Sequence, residues 1–496
     1  MLAFLFRFIS VLFSQGYGMS DDHFLIIEVA QSWVDGFDQN NWLPGPHNPN
    51  AVPSGHSLFY TGLHYYLFVF LKMLGITDPT FKMYIVRLLH ALYSLITVKF
   101  GYKIAEKLSG KENAKTVGLL LAVLWLFPML SVRNLVEMVC IPPLMYATWL
   151  LINALEKNKM HTFLVAGLIA GLAFSIRFQT STFIAGLGLV ILFNKKIVPA
   201  IIFGMGIIIS IVALQGGIDM IIWGRPFAEF GEYTRYNIEN ANNYITGNWY
   251  NYLLLLTGIL IPPFSLFILF GYARNWRKML IIFLPAFLFL LFHSSFPNKQ
   301  ERFILPIVPF IIISGVCGWN DFVGSSVYWQ KHPVLLKNCM LFFWILNSIV
   351  LIFITPSSTK LSRVDAMVYL SKKDDAACFI LETSNSTSSL LMPRFYLQRW
   401  TKNYEVTKNY PVDSLAKDLA QDSIAPMPQY IIFGEAENID TRVATAKKYF
   451  PGMTFEATIE PSFLDKIMHW LNPFGNENQT YFIYKAGSLK AVTGKR

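Results

Sequence analysis

The chain is 496 residues long, 54% hydrophobic, 16% aromatic and only 15% charged, against about 25% charged in ordinary soluble domains. Apolar runs of roughly 15–20 residues recur to about residue 355 and then stop, which excludes an ordinary soluble enzyme and describes a polytopic α-helical membrane protein with a soluble tail. The formal net charge of +10 does not point to nucleic acid, because Lys and Arg sit in short clusters between apolar runs, as cytoplasmic loops facing anionic lipid do.

The first segment, 1–18, is apolar around Arg7 and shows no small-residue cleavage site, so a retained signal anchor is expected rather than a cleaved signal peptide. About eleven spans follow from the apolar pattern, near 2–18, 82–100, 117–131, 138–154, 162–176, 180–193, 197–214, 252–271, 279–293, 304–320 and 340–355. The stretch 57–75, with His64 in a Tyr-rich middle and a loop-like Pro, Asn and Gly run before it, is expected to lie in the interface or to re-enter from outside. That placement makes 19–81 a long first outward loop and 1–356 the transmembrane domain.

Basic residues set the orientation. Lys99, Lys103, Lys107, Lys111 and Lys115, then Lys157 and Lys159, Lys195 and Lys196, Arg274, Arg277 and Lys278, and Lys331 and Lys337 mark alternate loops as cytoplasmic. The other loops hold Arg133 with Glu137, a lone Arg177, the long stretch 215–251, and "SFPNKQERF" at 295–303, and are expected to face outward. The tail, 357–496, reads as a soluble mixed α/β domain on that same face: "ACFILET", "QYIIFGEA" and "QTYFIYKA" as strands, "DTRVATAKKYF" as a helix. Cys140, Cys317 and Cys339 lie in or beside apolar runs and Cys378 stands alone in the tail, so no disulfide framework is expected. No CxxC or His/Cys spacing marks a zinc site.

Two adjacent acids, Asp21 and Asp22, open the first outward loop in "SDDHFLIIEVA". This stretch resembles the PDE-x-F-Q-x-x-E-x-A signature of the polyprenyl-phosphate-sugar-dependent mannosyltransferases, which build glycosylphosphatidylinositol anchors and the N-glycan lipid precursor. They belong to the C-type (GT-C) membrane glycosyltransferases. Asp21 matches the catalytic Asp of the signature and Asp22 stands where Glu is usual. Phe24, Glu28 and Ala30 match in register, while Ser20 replaces Pro and Leu25 replaces Gln. Further matches follow in order. "GLHYYLF" is similar to GLRSYLFP with His64 for Arg, and "RNLVE", with Arg133 and Glu137, resembles the Arg-Thr-x-x-x-Glu turn. "GLAFSIRFQT", with Arg177, resembles the GLA…RPT stretch with Phe178 for Pro. "NKQERFILPIVP" resembles HKExRF-x-x-P-x-x-P, with Lys299, Arg302 and Phe303 matching, Asn298 for His and Gln300 for Glu. The resemblance spans roughly 19–310. It implies a divergent branch in which Glu28, His64, Arg133, Glu137, Gln300 and Glu301 bind substrate or support the site.

The chemistry of the residues runs the same way. Moving a sugar to a hydroxyl needs a base for the acceptor proton and cations or donors for the departing phosphate. A carboxylate made more basic by a like-charged neighbour and partial burial suits the first task, and the Asp21–Asp22 pair at a membrane edge is expected to supply both conditions. Lys299 and Arg302, three apart, suit the second, as does Arg177, since an unpaired membrane Arg requires a partner. Plainer readings exist for each. Adjacent acids also suit a solvated helix N-terminus, Arg133 and Glu137, four apart, also make a helical ion pair, and the aromatic, Asn and Glu mixture of 215–251 serves sugar stacking or an interfacial belt. No P-loop or Gly-rich nucleotide turn is present, which favours a lipid-linked donor over a nucleotide sugar.

The function expected is therefore an inverting membrane glycosyltransferase carrying a sugar, mannose by resemblance, from a polyprenyl-phosphate donor to a lipid-linked glycan or other acceptor on the outward face. The alternatives are a transporter or flippase of lipid-linked glycans, for which no inverted repeat is seen, and a related GT-C enzyme modifying protein or lipid A. Expected partners are the lipid-linked donor, a lipid-linked glycan or protein acceptor and membrane lipids, without nucleic acid. No cofactor is called for, and a divalent metal is left open. The bacterial inner membrane with a periplasmic site is the expected location, the endoplasmic reticulum membrane with a lumenal site the alternative.

Overall fold

The computed structural model describes residues 1–490 apart from Ser423 and Phe474, so the last part of the expected tail domain, 491–496, lies outside the described residues. The chain divides into two compact units. The first holds Met1–Leu12, Asn40–Leu67 and Tyr84–Pro356; the second holds Phe13–Gln39, Phe68–Met83 and the chain from Ser357 onward.

The first unit is helical. Among the described residues, Pro79–Ser109, Val136–Lys157, Ile197–Trp223, Glu301–Ser325 and Pro333–Ile354 are long and apolar enough to cross a membrane. Shorter apolar helices run over Leu2–Phe13, Met160–Ile176, Phe178–Phe193, Phe264–Arg274 and Leu280–Ser295. Helical segments thus fall at the positions expected of spans, but not as eleven unbroken ones. The expected span 252–271 is two helices, Asn251–Ile259 and Phe264–Arg274, separated by the Pro262–Pro263 pair. The stretch 57–75 contains the 16-residue helix Leu58–Met73, too short to cross unaided.

The expected span 117–131 is also interrupted. The helix Lys111–Val123 ends where Leu124 turns extended (φ −63°, ψ 129°), and a second short helix, Leu126–Leu130, follows. Backbone groups freed inside an apolar unit must find partners. Asn347 supplies two of them, donating to Val123 O and accepting from Trp125 N, each at 2.9 Å. Arg7 supplies two more, its guanidinium donating to Ala122 O (3.1 Å) and Leu121 O (3.2 Å), and is itself held by Ala3 O (3.1 Å) and Ser94 Oγ (2.8 Å). The one base in the first apolar segment is thus a buried C-terminal cap for a neighbouring helix. Small residues set other contacts. Gly167 lies so close to Phe203 O and Gly206 that any Cβ there would collide with backbone, which lets the helices Met160–Ile176 and Ile197–Ile211 touch directly.

The second unit contains a five-stranded sheet: β1 (Phe379–Thr383), β2 (Asn403–Thr407), β3 (Tyr430–Gly434), β4 (Thr454–Ile459) and β5 (Tyr481–Lys485), in the order β2-β1-β3-β5-β4. β1 runs parallel to β2 and β3, while β5 is antiparallel to β3 and β4. One face packs Ile380, Val406, Ile431 and Phe433 against Leu415 and Leu419 of the helix Val412–Gln421 and Val443 and Ala446 of the helix Ile439–Tyr449. The N-terminal segment of this unit pairs with its linker: Tyr17 N donates to Thr359 O (3.2 Å), Thr359 N to Gln15 O (3.2 Å), and Gly16 bridges Thr359 in parallel. Gly16 is held at φ +76°, and a Cβ there would strike the Thr359 carbonyl.

Candidate active site

In the second unit, Asp21 and Asp22 open a composite helix: a short turn Ser20–Asp22, a π-helical turn His23–Ile27, then Glu28–Val34. Met19 is extended and does not cap, and both acids lie in the first turn, at the positive end of the helix. π-turns are rare and concentrate at functional sites. The two acids part company here. Asp21 is exposed, whereas Asp22 is buried at 5% exposure. Partial burial, expected of the pair, applies to Asp22 alone.

His23, which the sequence reading passed over, is buried behind them. Its ring stacks on Tyr17 (centroids 4.7 Å apart) and on Tyr396 (5.8 Å), and its Nε2 stands 3.7 Å from Glu28 Oε1. The same Glu28 oxygen accepts a hydrogen bond from Phe395 N at 3.0 Å, at the start of the helix Arg394–Leu397. Glu28 is thus a buried brace that ties the acid-bearing helix to the C-terminal part of its unit.

The first unit holds a cationic cluster. Glu137, fully buried in the short helix Val136–Val139, presents Oε1 to two guanidiniums: Arg177 Nη2 at 2.9 Å and Arg302 Nε at 3.6 Å. Arg177 follows the last turn of Met160–Ile176 in an extended conformation, and Arg302 lies in the 3-10 turn Glu301–Ile307. Phe303 presents its ring to both, with centroids 5.3 Å from Arg177 Cζ and 5.7 Å from Arg302 Cζ. Gln179 and Gln300 each accept from one arginine Nε, at 3.2 and 2.9 Å, and fix the planes. Two guanidiniums converge on one carboxylate oxygen, and their planar sets of donors are the kind that recognise a phosphate.

The other expected site residues take separate places. Arg133 is buried, but the helix begins only at Val136, so Arg133 and Glu137 do not share the helical four-residue spacing. Lys299 does not project beside Arg302. Its ammonium donates to the carbonyls of His293 (2.9 Å), Ser294 (3.0 Å) and Phe296, capping the C-terminus of Leu280–Ser295. The capping geometry follows from the chain turning sharply between Ser295 and Glu301, which folds the lysine back over the open carbonyls. Gln300 also accepts from Tyr252 Oη through its carbonyl (3.2 Å), and Glu301 is exposed. His64 is buried in Leu58–Met73, its Nδ1 3.0 Å from Tyr60 O and its ring 5.9 Å from that of His90.

A buried acid network was missed. The helix from Ile197 continues to Trp223 instead of ending near 214, placing Gln215 and Asp219 inside it. Gln215 accepts from Ser57 Oγ (2.8 Å) and donates to Asp219, which accepts from Glu229 N (both 3.0 Å). Glu229, fully buried, accepts from Ser54 Oγ (2.9 Å), Gly55 N (2.7 Å), His56 N (3.3 Å) and Trp223 Nε1 (3.0 Å). Burial, only partly offset by these donors, pushes its carboxyl pKa up to about 7. The signal was Gln and Asp four apart in an otherwise apolar stretch, where polar residues demand partners. Among the described residues, no group of three or more His, Cys, Asp or Glu is placed to hold a metal ion.

A model of the Alg9-like mannosyltransferase family matches residues 1–386. No curated protein matches the chain at the sequence level. Among solved structures, ArnT from Cupriavidus metallidurans bound to undecaprenyl phosphate is similar at a TM-score of 0.59 and 12% identity, over 99% of this chain and 98% of that one. The same protein in the apo state gives 0.59 and 14%, over 97% and 96%. The Archaeoglobus fulgidus oligosaccharyltransferase in complex with Zn and sulfate gives 0.52 and 11%, over 92% of this chain and 72% of that one. At these identities the likeness is one of fold.

Proposed function

The chain belongs to the Alg9-like mannosyltransferase family and is a membrane glycosyltransferase; we propose that it takes its sugar, mannose in the first instance, from a polyprenyl-phosphate donor. The acceptor is a lipid-linked glycan or another hydroxyl-bearing acceptor, and transfer takes place on the outward face of the membrane. The acceptor oxygen attacks C1 from the side opposite the phosphate. The C1–O bond breaks, its electron pair leaves with the polyprenyl phosphate, and the acceptor proton passes to Asp21, so the anomeric centre inverts.

The observation that carries this reading is the pair of guanidiniums on the buried Glu137 oxygen, Arg177 at 2.9 Å and Arg302 at 3.6 Å. Guanidiniums placed in advance beside a buried carboxylate and an aromatic ring suit a departing phosphate, because little reorganisation is needed when charge develops. Supporting it, the similar ArnT structure holds undecaprenyl phosphate. Asp21 is exposed, within reach of an acceptor from solvent, whereas Asp22 is buried. Incubating the purified enzyme with a panel of polyprenyl-phosphate sugars and following which is consumed tests the donor class. Consumption of a nucleotide sugar alone would refute it.

A further inference from the structure

The ribbon between the N-terminal segment and the linker delivers one residue that no part of the reaction scheme above uses. Lys360 ends the linker at φ +54° and ψ 30°, a left-handed conformation that non-glycine residues rarely hold. Two anchors fix it there. Thr359 pairs with Gln15 and Tyr17 through backbone hydrogen bonds and donates Oγ1 to Tyr17 O at 2.7 Å. On the other side, the Lys360 backbone N donates to both carboxylate oxygens of Asp465, at 3.1 and 2.9 Å, and Asp465 is itself held by Ser462 Oγ at 2.7 Å.

The side chain then points at the turn that leads into the acids. Lys360 Nζ donates to Gly18 O (3.0 Å), reaches Ser20 Oγ (3.4 Å), and lies 5.0 Å from the centroid of the Tyr17 ring. These contacts fall on Tyr17, Gly18 and Ser20, immediately before Asp21. We propose that Lys360 is a positioning residue for the transfer reaction: it clamps the Tyr17–Ser20 turn and sets a fixed positive charge beside the Asp21–Asp22 segment. The C-terminal part of the chain thereby becomes part of the catalytic apparatus.

Other charges bear on this turn. His23 stacks on Tyr17 and stands beside Glu28, Arg363 and Glu477 form an ion pair at 3.6 Å, and Asp22 is buried at the same helix start. Arg363 and Glu28 act electrostatically on Tyr17. Asp465 is engaged by the Lys360 backbone N–H, so its contact leaves the ammonium directed to the 17–20 turn.

The inference rests on Asp21 as the base, and its test is arranged to separate the two. In the full chain, reconstituted in lipid with the four native cysteines replaced by Ala, Ser20→Cys places a thiol where the ammonium reaches. The pH dependence of its alkylation by iodoacetamide reports the local charge without requiring turnover. A nearby ammonium holds a thiol below its ordinary pKa of about 8.5. Lys360→Met is expected to move that titration upward by about one unit, roughly a tenfold loss of reactivity near neutral pH, and Lys360→Arg to leave it low. Without Ser20→Cys, consumption of undecaprenyl-phosphate mannose should fall at least tenfold in kcat for Lys360→Met with KM little changed, and Lys360→Arg should recover most of it. Coincident alkylation profiles for Lys360 and Lys360→Met, or a wild-type kcat in Lys360→Met, overturn the proposal. Activity retained by Asp21→Asn would instead refute the base, and the thiol titration would still decide whether Lys360 charges the turn.

Discussion

The Arg177 guanidinium lies 2.9 Å from the carboxylate of Glu137, a residue without exposed surface, and Arg302 meets the same oxygen from 3.6 Å. Removing one member of such a buried pair leaves an uncompensated charge, which costs about 3–5 kcal/mol. Glu137→Gln should therefore lower the denaturation midpoint in detergent by that order, since it removes the carboxylate that Arg177 and Arg302 face. Combining it with Arg177→Gln should recover part of the loss. Equal midpoints for wild type and Glu137→Gln would show that the cluster is not held by this carboxylate.

If the same arginines receive the donor phosphate, Arg302→Gln should slow transfer by about 10²-fold or more while the protein still inserts in the membrane. Lys299→Met should differ in kind. Its ammonium caps three carbonyls at the end of Leu280–Ser295, so its loss should appear as a lower thermal midpoint, on the order of 1 kcal/mol. A purely kinetic defect in Lys299→Met would return that lysine to the phosphate.

Glu229 gives a pH prediction. Its folded-state pKa of about 7 lies above the ordinary 4.5, so the folded protein binds this proton more tightly than the unfolded chain does. The stability it contributes is full below 4.5 and is lost as pH rises through about 7. Wild type should therefore lose thermal stability between pH ~5 and ~8 more steeply than Glu229→Gln, which has no proton to release. Parallel curves for the two proteins would assign the pH dependence to other groups.

Legibility in the sequence followed burial. β1 and β3, buried along their whole length in the middle of the sheet, read as continuous apolar runs, as did β5 beside β3. The edge strands β2 and β4 are half-polar, "NYEVT" and "TFEATI", and gave no such run. In the candidate site, Glu137, Arg177 and Arg302 were each visible as charges near apolar ends. Their convergence on one carboxylate oxygen was not, because it joins three segments distant in sequence. Lys299 was placed beside Arg302 by spacing alone, and the chain turn that sends it to the carbonyls has no periodic signature. His23 and Lys360 were hidden for a related reason: their meaning lies in Tyr17, Tyr396 and Gly18, contacts that only the folded unit creates.

The measurement that bears most directly on Asp21 as the base is the transfer rate of Asp21→Asn beside Asp22→Asn, in lipid, with the donor identified from the polyprenyl-phosphate panel. Asn keeps the size and hydrogen bonding of the carboxylate and removes its basicity. Asp21→Asn should lose turnover by three or more orders of magnitude, on the order expected for a missing general base, while still binding donor. Asp22→Asn, altering a buried side chain at 5% exposure, should retain measurable turnover and lose stability instead. Wild-type transfer by Asp21→Asn, or a dead Asp22→Asn beside an active Asp21→Asn, would contradict the assignment.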